Sequence, residues 1–402
     1  MKKNVLIIIF VLIFTVFQFP ESKVKSEKLL STLIKAAQSI EKFNALKKHP
    51  GNYPVAKRRI IRLLRRAASF TDSNDQKDYL LSLIPDLRQS GKFNCTLFPG
   101  DLKDSNIFLF KKKGEKECFP VVLLLRKDIT QEIRKFSDMT RTLVKKGLLK
   151  RKVKFFPEKL FISAAETIYP DSLKKNIILY HYKSEKTEQY PIIFFMVKNI
   201  EKSFNEKIVP AIRKVILRKE INDVDFNSYI IALAIHKLSH FMAPVVVKAV
   251  KSGADRKKDI LTTPRDLLKE YFYSAEEVRA EFDMMNIIFL LEKNALIDEK
   301  TADKVVKTSI LSKISNLKND RRRKSNLNSV VILNAIFKSG GLDVNLINKK
   351  LKFSMKLLKT NLEKLNKLFY DFEKSGKYEE CAAYFKENSE MSKQLKAILK
   401  LI

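Results

Sequence analysis

The sequence predicts a mainly α-helical protein of the α+β class, with one small β-sheet and a division into two lobes. Three observations carry this expectation. Apolar residues recur at three- and four-residue intervals near the start of the chain and throughout its second half. Several strand-like runs rich in Val, Ile, Phe and Tyr, set off by turn-forming residues, gather at about 105–200. With 402 residues and 45% hydrophobic content, the chain can bury a large core and divide it. The expected division is a leader or anchor at 1–22, a mixed α/β lobe at 23–200 and a helical lobe at 201–402.

Lys2 and Lys3 precede the apolar run Val5–Phe19, which has the length of a signal-peptide core and is short for a bilayer span. No small-x-small cleavage site stands out before Lys23, so an uncleaved anchor stays open as the alternative. Either way the folded part is expected to be exported: periplasmic, extracellular or membrane-anchored. Ser26–Phe43 and Val55–Phe70 follow as amphipathic helices around the turn His49-Pro50-Gly51-Asn52. The second carries Lys57, Arg58, Arg59, Arg62, Arg65 and Arg66 about an Ile/Leu stripe. Its stripe reads as core and its charges as a wet face, with a membrane surface or nucleic acid as the other reading.

Ile107–Phe110 and Phe119–Leu125 read as strands joined by Lys111–Glu117, and Asp128–Leu149 as a helix. Lys152–Phe156, Asn176–Tyr182 and Tyr190–Lys198 complete the expected sheet. Cys95 and Cys118 flank the hairpin and can pair in an exported protein, leaving Cys381 free.

From Ile200 onward the pattern is almost wholly helical. Ser228–Phe241, SYIIALAIHKLSHF, is apolar on one side and sets His236 and His240 four residues apart. On a helix that spacing puts both imidazoles on one face, where both can reach a single ion. The chain holds only four histidines; His49 falls in the turn and His181 in a strand. Beyond the turn-like Thr262-Thr263-Pro264, Tyr273–Glu281 (YSAEEVRAE) opens a second apolar helix that runs to Leu291. Glu277 and Glu281 share one of its faces, whereas Glu276 points about 100° away. Glu277 can supply a third ligand, and Glu281 can take the outer N–H of a ligating imidazole. No glycine-rich phosphate loop, nucleophile elbow, CxxC pair or RNA-recognition signature offers a different chemistry.

HKLSH followed by YSAEEVRAE resembles the zinc site of the dipeptidyl peptidase III-like zinc hydrolases. Those proteins pair an HE-containing histidine helix with a Glu-Glu-x-Arg/Lys-Ala-Glu/Asp helix. The segments MVKNIEKSFNEKIVPAIRKVI, VILNAIFKSGGLDVN and NLEKLNKLFYDFEKSGKYEECAAYF are similar to that family's flanking segments, so the resemblance covers about 190–395. It implies a two-lobed metallopeptidase architecture with a helical zinc lobe. It further implies zinc on His236, His240 and Glu277, with Glu281 and Glu276 behind them, and a peptide or protein in the cleft between lobes.

Three departures accompany the match. Lys237 stands where the family has its general-base Glu, and an ammonium accepts no proton at neutral pH. In DRRRKSNLNSVVILN, Ser325 or a neighbour takes the place of a substrate-binding histidine. Phe241-Met242-Ala243-Pro244 replaces the glycines that follow the histidine helix in relatives.

Three functional readings remain open. The first is a catalytically impaired relative that keeps a metal site, a peptide-binding cleft or both. The second is a working metallopeptidase with an unorthodox base drawn from Lys237, Glu276 or Glu281. The third makes the site a relic and assigns function to the basic surface, net charge +34, as a binder of anionic envelope polymers. Nucleic acid is not the expected partner, and a solvated excess of lysine also accounts for the charge.

Overall fold

The computed structural model of the chain describes residues 24–44, 53–72, 74–89, 105–111, 118–149, 161–170, 176–183, 189–244, 247–251, 258–319, 324–345 and 350–402. The architecture is mainly α-helical with one small mixed sheet, as the sequence predicts. Two compact units form: Met1–Thr130 with Lys159–Asn199, and Gln131–Glu158 with Ile200–Ile402.

The first unit begins with α1 (24–44), α2 (Tyr53–Phe70) and α3 (Asn74–Gln89). Leu29, Leu33, Ala36, Ile40 and Phe43 of α1 form a three- and four-residue stripe that meets Ile60, Leu64 and Ala67 of α2. Tyr79, Leu80, Leu83 and Leu87 of α3 close the same core. Five strands follow: β1 (Ser105–Lys111), β2 (Cys118–Leu125), β3 (Phe161–Tyr169), β4 (Ile177–Lys183) and β5 (Gln189–Met196). Their order is β1-β2-β3-β5-β4, with β3 parallel to β5 and every other pair antiparallel. Val121, Val122 and Leu123 are all buried, the continuous apolar run of a strand covered on both faces.

Between β2 and β3 lies α4 (Lys127–Lys145), shorter at its end than the periodicity predicts. Gly147 takes φ 66°, and the amides of Gly147 and Leu148 turn back to the carbonyls of Val144 and Leu143, which stops the helix.

The second unit is mainly helical and resumes at Ile200, inside the helix that opens at Val197. α5 (Val197–Ser203), a π turn (Phe204–Ile208) and α6 (Val209–Val215) make one rod. The Ser315 hydroxyl donates to the Lys207 carbonyl inside that widened turn. Next come α7 (Phe226–His240), α8 (Pro264–Leu268), α9 (Phe272–Lys293), α10 (Glu299–Asn319), α11 (Lys324–Lys338), α12 (Met355–Ser375), α13 (Tyr378–Asn388) and α14 (Lys393–Leu399). α9 is the central rod, packed by α7, α10, α11 and α12.

Several expectations need correction. The strand at 190 ends at Met196, and Val197 already begins α5. β3 was not expected, since Ala164, Ala165 and Glu166 are poor strand formers; pairing on both edges overrides propensity. α3 was not expected either. The region after Ile200 carries two small ribbons, β6 (Val247–Lys251) with β7 (Lys258–Thr262) and β8 (Leu342–Asn345) with β9 (Lys350–Phe353). The expected strand Lys152–Phe156, the turn His49–Asn52, the leader at 1–22 and the Cys95–Cys118 pairing lie outside the described residues or side chains. Among the described residues no helix is long and apolar enough to cross a membrane.

Candidate metal centre

α7 opens on Asp225, whose carboxylate accepts the Ser228 amide at 2.7 Å, an N-cap that satisfies one of the helix's free donors. It closes at Phe241, where the amides of Phe241 and Met242 bond back to Leu238 and Ser239, so the four residues Phe241–Pro244 form a capping turn with Met242 buried. The helix is not apolar on one side only. Beyond the exposed Asn227 of the first turn nearly its whole circumference is buried, and the half-open positions fall on the single line Phe226, Tyr229, Leu233, Lys237 and His240. The two histidines occupy the last turn, where unsatisfied carbonyls favour positive charge.

α9 is locked against α7 by one buried guanidinium. Arg279 donates to the Ser239 carbonyl of α7 at 3.1 Å, to Glu373 of α12 at 2.9 Å and to Asp283 of its own helix. Asp283 also accepts from the Asn366 amide of α12. Arg279 is fully buried, and this hub fixes which residues of α9 meet the histidines.

Glu277 lies between the two rings: its Oε2 is 3.2 Å from His236 Nε2 and its Oε1 is 3.5 Å from His240 Nε2. The two Nε2 atoms are 3.3 Å apart, and the rings stand at 88° to one another. Behind the rings, His236 Nδ1 is 3.0 Å from Glu281 Oε2, a charge contact and not an aligned hydrogen bond. His240 Nδ1 is 3.2 Å from Glu276 Oε1. Glu281 is itself held by the Ser309 hydroxyl and by the Lys313 ammonium at 2.7 Å, both from α10.

The charges follow from these contacts. Burial pushes the Glu281 carboxyl up, but Lys313 and His236 together hold it well below the usual carboxylate range. Glu277 is held low in the same sense, against burial, by His236, Lys237 and His240. His240 is lowered by burial first, with His236 and Lys237 adding to it and Glu276 opposing. A carboxylate only accepts, so Glu276 offers an acceptor to His240 Nδ1 and Glu277 offers one to His236 Nε2. Lys237 sets an ammonium donor beside this group.

With both Nε2 atoms deprotonated, the two imidazoles and the Glu277 carboxylate offer three electron pairs to one cation. A tetrahedral zinc with bonds of about 2.0–2.1 Å sets its ligands about 3.3–3.4 Å apart. The distances 3.2, 3.3 and 3.5 Å match that span, so the residues fit the metal that the resemblance implies. His236, His240 and Glu277 are the group among the described residues whose donor atoms converge this way.

Of the residues singled out from the sequence, His236, His240, Glu277, Glu276, Glu281 and Lys237 all come together. Glu276 reaches His240 despite its different helical direction, because α9 crosses α7 with both Glu276 and Glu277 turned toward it. Ser325 falls in the first turn of α11, and His181 is in β4 opposite Pro191. Sequence reasoning missed Ser309, Lys313 and the Arg279 hub. Apart from Asp283, four residues along from Arg279 on the same helix, their partners lie 28 to 94 residues away, and no spacing signal announces those.

No family profile and no curated protein matches the chain. Solved structures do. DPP III from Caldithrix abyssi superposes with a TM-score of 0.67 at 14% identity, covering 87% of this chain and 69% of that one. Dipeptidyl-peptidase III from Corallococcus sp. strain EGB gives 0.63 at 15% identity, covering 87% and 66%. The fold is therefore DPP III-like, and this chain spans about two thirds of the length of both enzymes.

Proposed function

We propose that the chain is a zinc-binding protein of the dipeptidyl peptidase III type in which peptide-bond hydrolysis is impaired by Lys237. The observation that carries this reading is the closure of three electron-pair donors around one point, with an ammonium as the side chain next to them. His236, His240 and Glu277 would hold the ion, and Glu281 and Glu276 orient the two imidazoles. A zinc ion held there supplies Lewis acidity toward a peptide carbonyl and toward water. Lys237 cannot take the proton that an attacking water must lose.

The unorthodox-base reading has less support. Glu276 and Glu281 both lie against Nδ1 atoms, the ring edges opposite the Nε2 atoms that face the centre. Neither carboxylate is placed to receive a proton on the metal side. We infer that an exported chain of this kind retains peptide as a ligand and does not turn it over.

The test is a pair of measurements on the purified chain. Mass spectrometry reads zinc content, and a peptide library reads hydrolysis before and after Lys237→Glu. Expected are about one zinc per chain, negligible turnover in the unmodified protein and chelator-sensitive turnover in the variant. Chelator-sensitive turnover in the unmodified protein overturns the impairment. Failure to retain zinc after loading overturns the metal site.

A further inference from the structure

The chain is rich in lysine, so a basic face means little unless it differs from the general excess. One does. Only 18 of the 79 basic residues are arginine, and five of them, Arg58, Arg59, Arg62, Arg65 and Arg66, fall within nine residues of α2. All five are exposed. At 100° per residue they occupy an arc of about 120°, opposite the stripe of Ile60, Leu64 and Ala67 that fills the core. Lys57 points to the other side and donates to the Arg88 carbonyl.

The face carries no compensating charge. α2 contains no acidic residue, and among the described residues none of the five arginines has a carboxylate partner; Arg66 rests only on the Phe70 ring. Arginine differs from lysine in presenting a planar fork that takes phosphate through two hydrogen bonds. Val55, 60% exposed, shares the arc at its N-terminal end.

We propose that this face of α2 docks the protein on an anionic phospholipid surface through phosphate headgroups. Two observations favour a bilayer over nucleic acid. Phe70, the aromatic ring at the edge of the arc, packs on the core beneath Arg66 and so offers no free face to stack on bases. The apolar run Val5–Phe19 lies just ahead of α1, the helix on which α2 packs. The apolar side of α2 is committed to the core, so the attraction is electrostatic and superficial, without insertion of the helix. This inference is independent of the metal site.

The experiment uses the full chain and vesicles of phosphatidylcholine with and without 30% phosphatidylglycerol as a chosen probe. Any contribution from Val5–Phe19 is common to all variants and cancels in the comparison. The triple variant Arg58→Gln, Arg62→Gln, Arg65→Gln is expected to lose about fivefold in partitioning per arginine, on the order of 100-fold in all, on the anionic vesicles alone. A control of equal charge, Lys356→Gln, Lys364→Gln, Lys374→Gln on α12, is expected to change binding by less than about threefold. In the unmodified chain, anionic vesicles should also protect Arg58–Arg66 from phenylglyoxal. Equal losses in the two triple variants, or no protection of those arginines, overturn the assignment to α2. Tighter binding to duplex DNA than to anionic vesicles at equal salt overturns the choice of a bilayer.

Discussion

The ammonium nitrogen of Lys237 lies 3.5 Å from Nε2 of His240 and 3.9 Å from Oε1 of Glu277. A fixed positive charge there competes with any ion the three donors would hold. At an effective dielectric of about 20, unit charges 4 Å apart interact by about 4 kcal/mol, although solvent at this half-open position screens much of it. Lys237→Met keeps the length of the side chain and removes the charge. It should tighten zinc binding at least about tenfold, measured by competition with a chromophoric chelator. Unchanged affinity would mean that the ammonium turns away when the site is loaded.

Glu281 is a different kind of position, since its charge is fully buried and depends on α10. Lys313→Met strands that carboxylate without its cation. The expected cost is about 3 kcal/mol of stability, read by urea denaturation, together with a loss of about 10–100-fold in zinc affinity from the loosened His236 ring. Ser309→Ala should move both quantities in the same direction and by less. A Lys313 variant that denatures like the unmodified chain would show that the buried charge has another partner.

Acid–base linkage enters through the Arg279 hub. Burial pushes the Glu373 carboxyl up to about 7, against the pull of Arg279 and with Glu276 and Asp283 adding to the rise. A group raised in the folded state holds its proton there while the unfolded chain releases it. Its stabilising contribution is therefore full below the unfolded value of 4.5 and is lost as pH climbs to about 7. Glu373→Gln removes the titration. Between pH 4.5 and 8 the stability difference should shift by about 3 kcal/mol in favour of the variant. A difference that stays flat across that range would show that Glu373 is ionised in the folded chain.

Gly376 ends α12 at φ 60°, with its amide bonded to the Phe372 carbonyl at 3.0 Å. A Cβ there would fall on Cδ1 of Leu267, so the left-handed backbone and the close approach both demand glycine. Gly376→Ala should cost about 2–3 kcal/mol and lower the midpoint of thermal unfolding. An unchanged midpoint would mean that α8 yields at no cost.

Much of the centre was legible because helical periodicity is a local rule. His236 and His240, and Glu277 and Glu281, are each four residues apart, and that alone put each pair on one face. What could not be read was the crossing of α9 over α7, which decides that Glu276 reaches a ring as well. Lys313 and Glu373 are invisible for the same reason: nothing near them in sequence says what they will touch. The fold was legible where apolar patterns are long, as in α1, α2 and α9. It was obscure where pairing overrides propensity, as in β3, and where ribbons of four or five residues give too short a pattern. The one-sided reading of α7 failed because a helix packed by several neighbours buries polar positions such as Ser228 and Ser239 as well.

The half-open line along α7 separates two properties that share one site. Position 237 lies on it, so glutamate and lysine can be exchanged there with little consequence for the packing around them. Position 281 lies under it, where the same exchange would break the interior. Under the proposed reading, hydrolysis would turn on a position the scaffold hardly registers, while the frame that gathers His236, His240 and Glu277 is held in place by the fold itself.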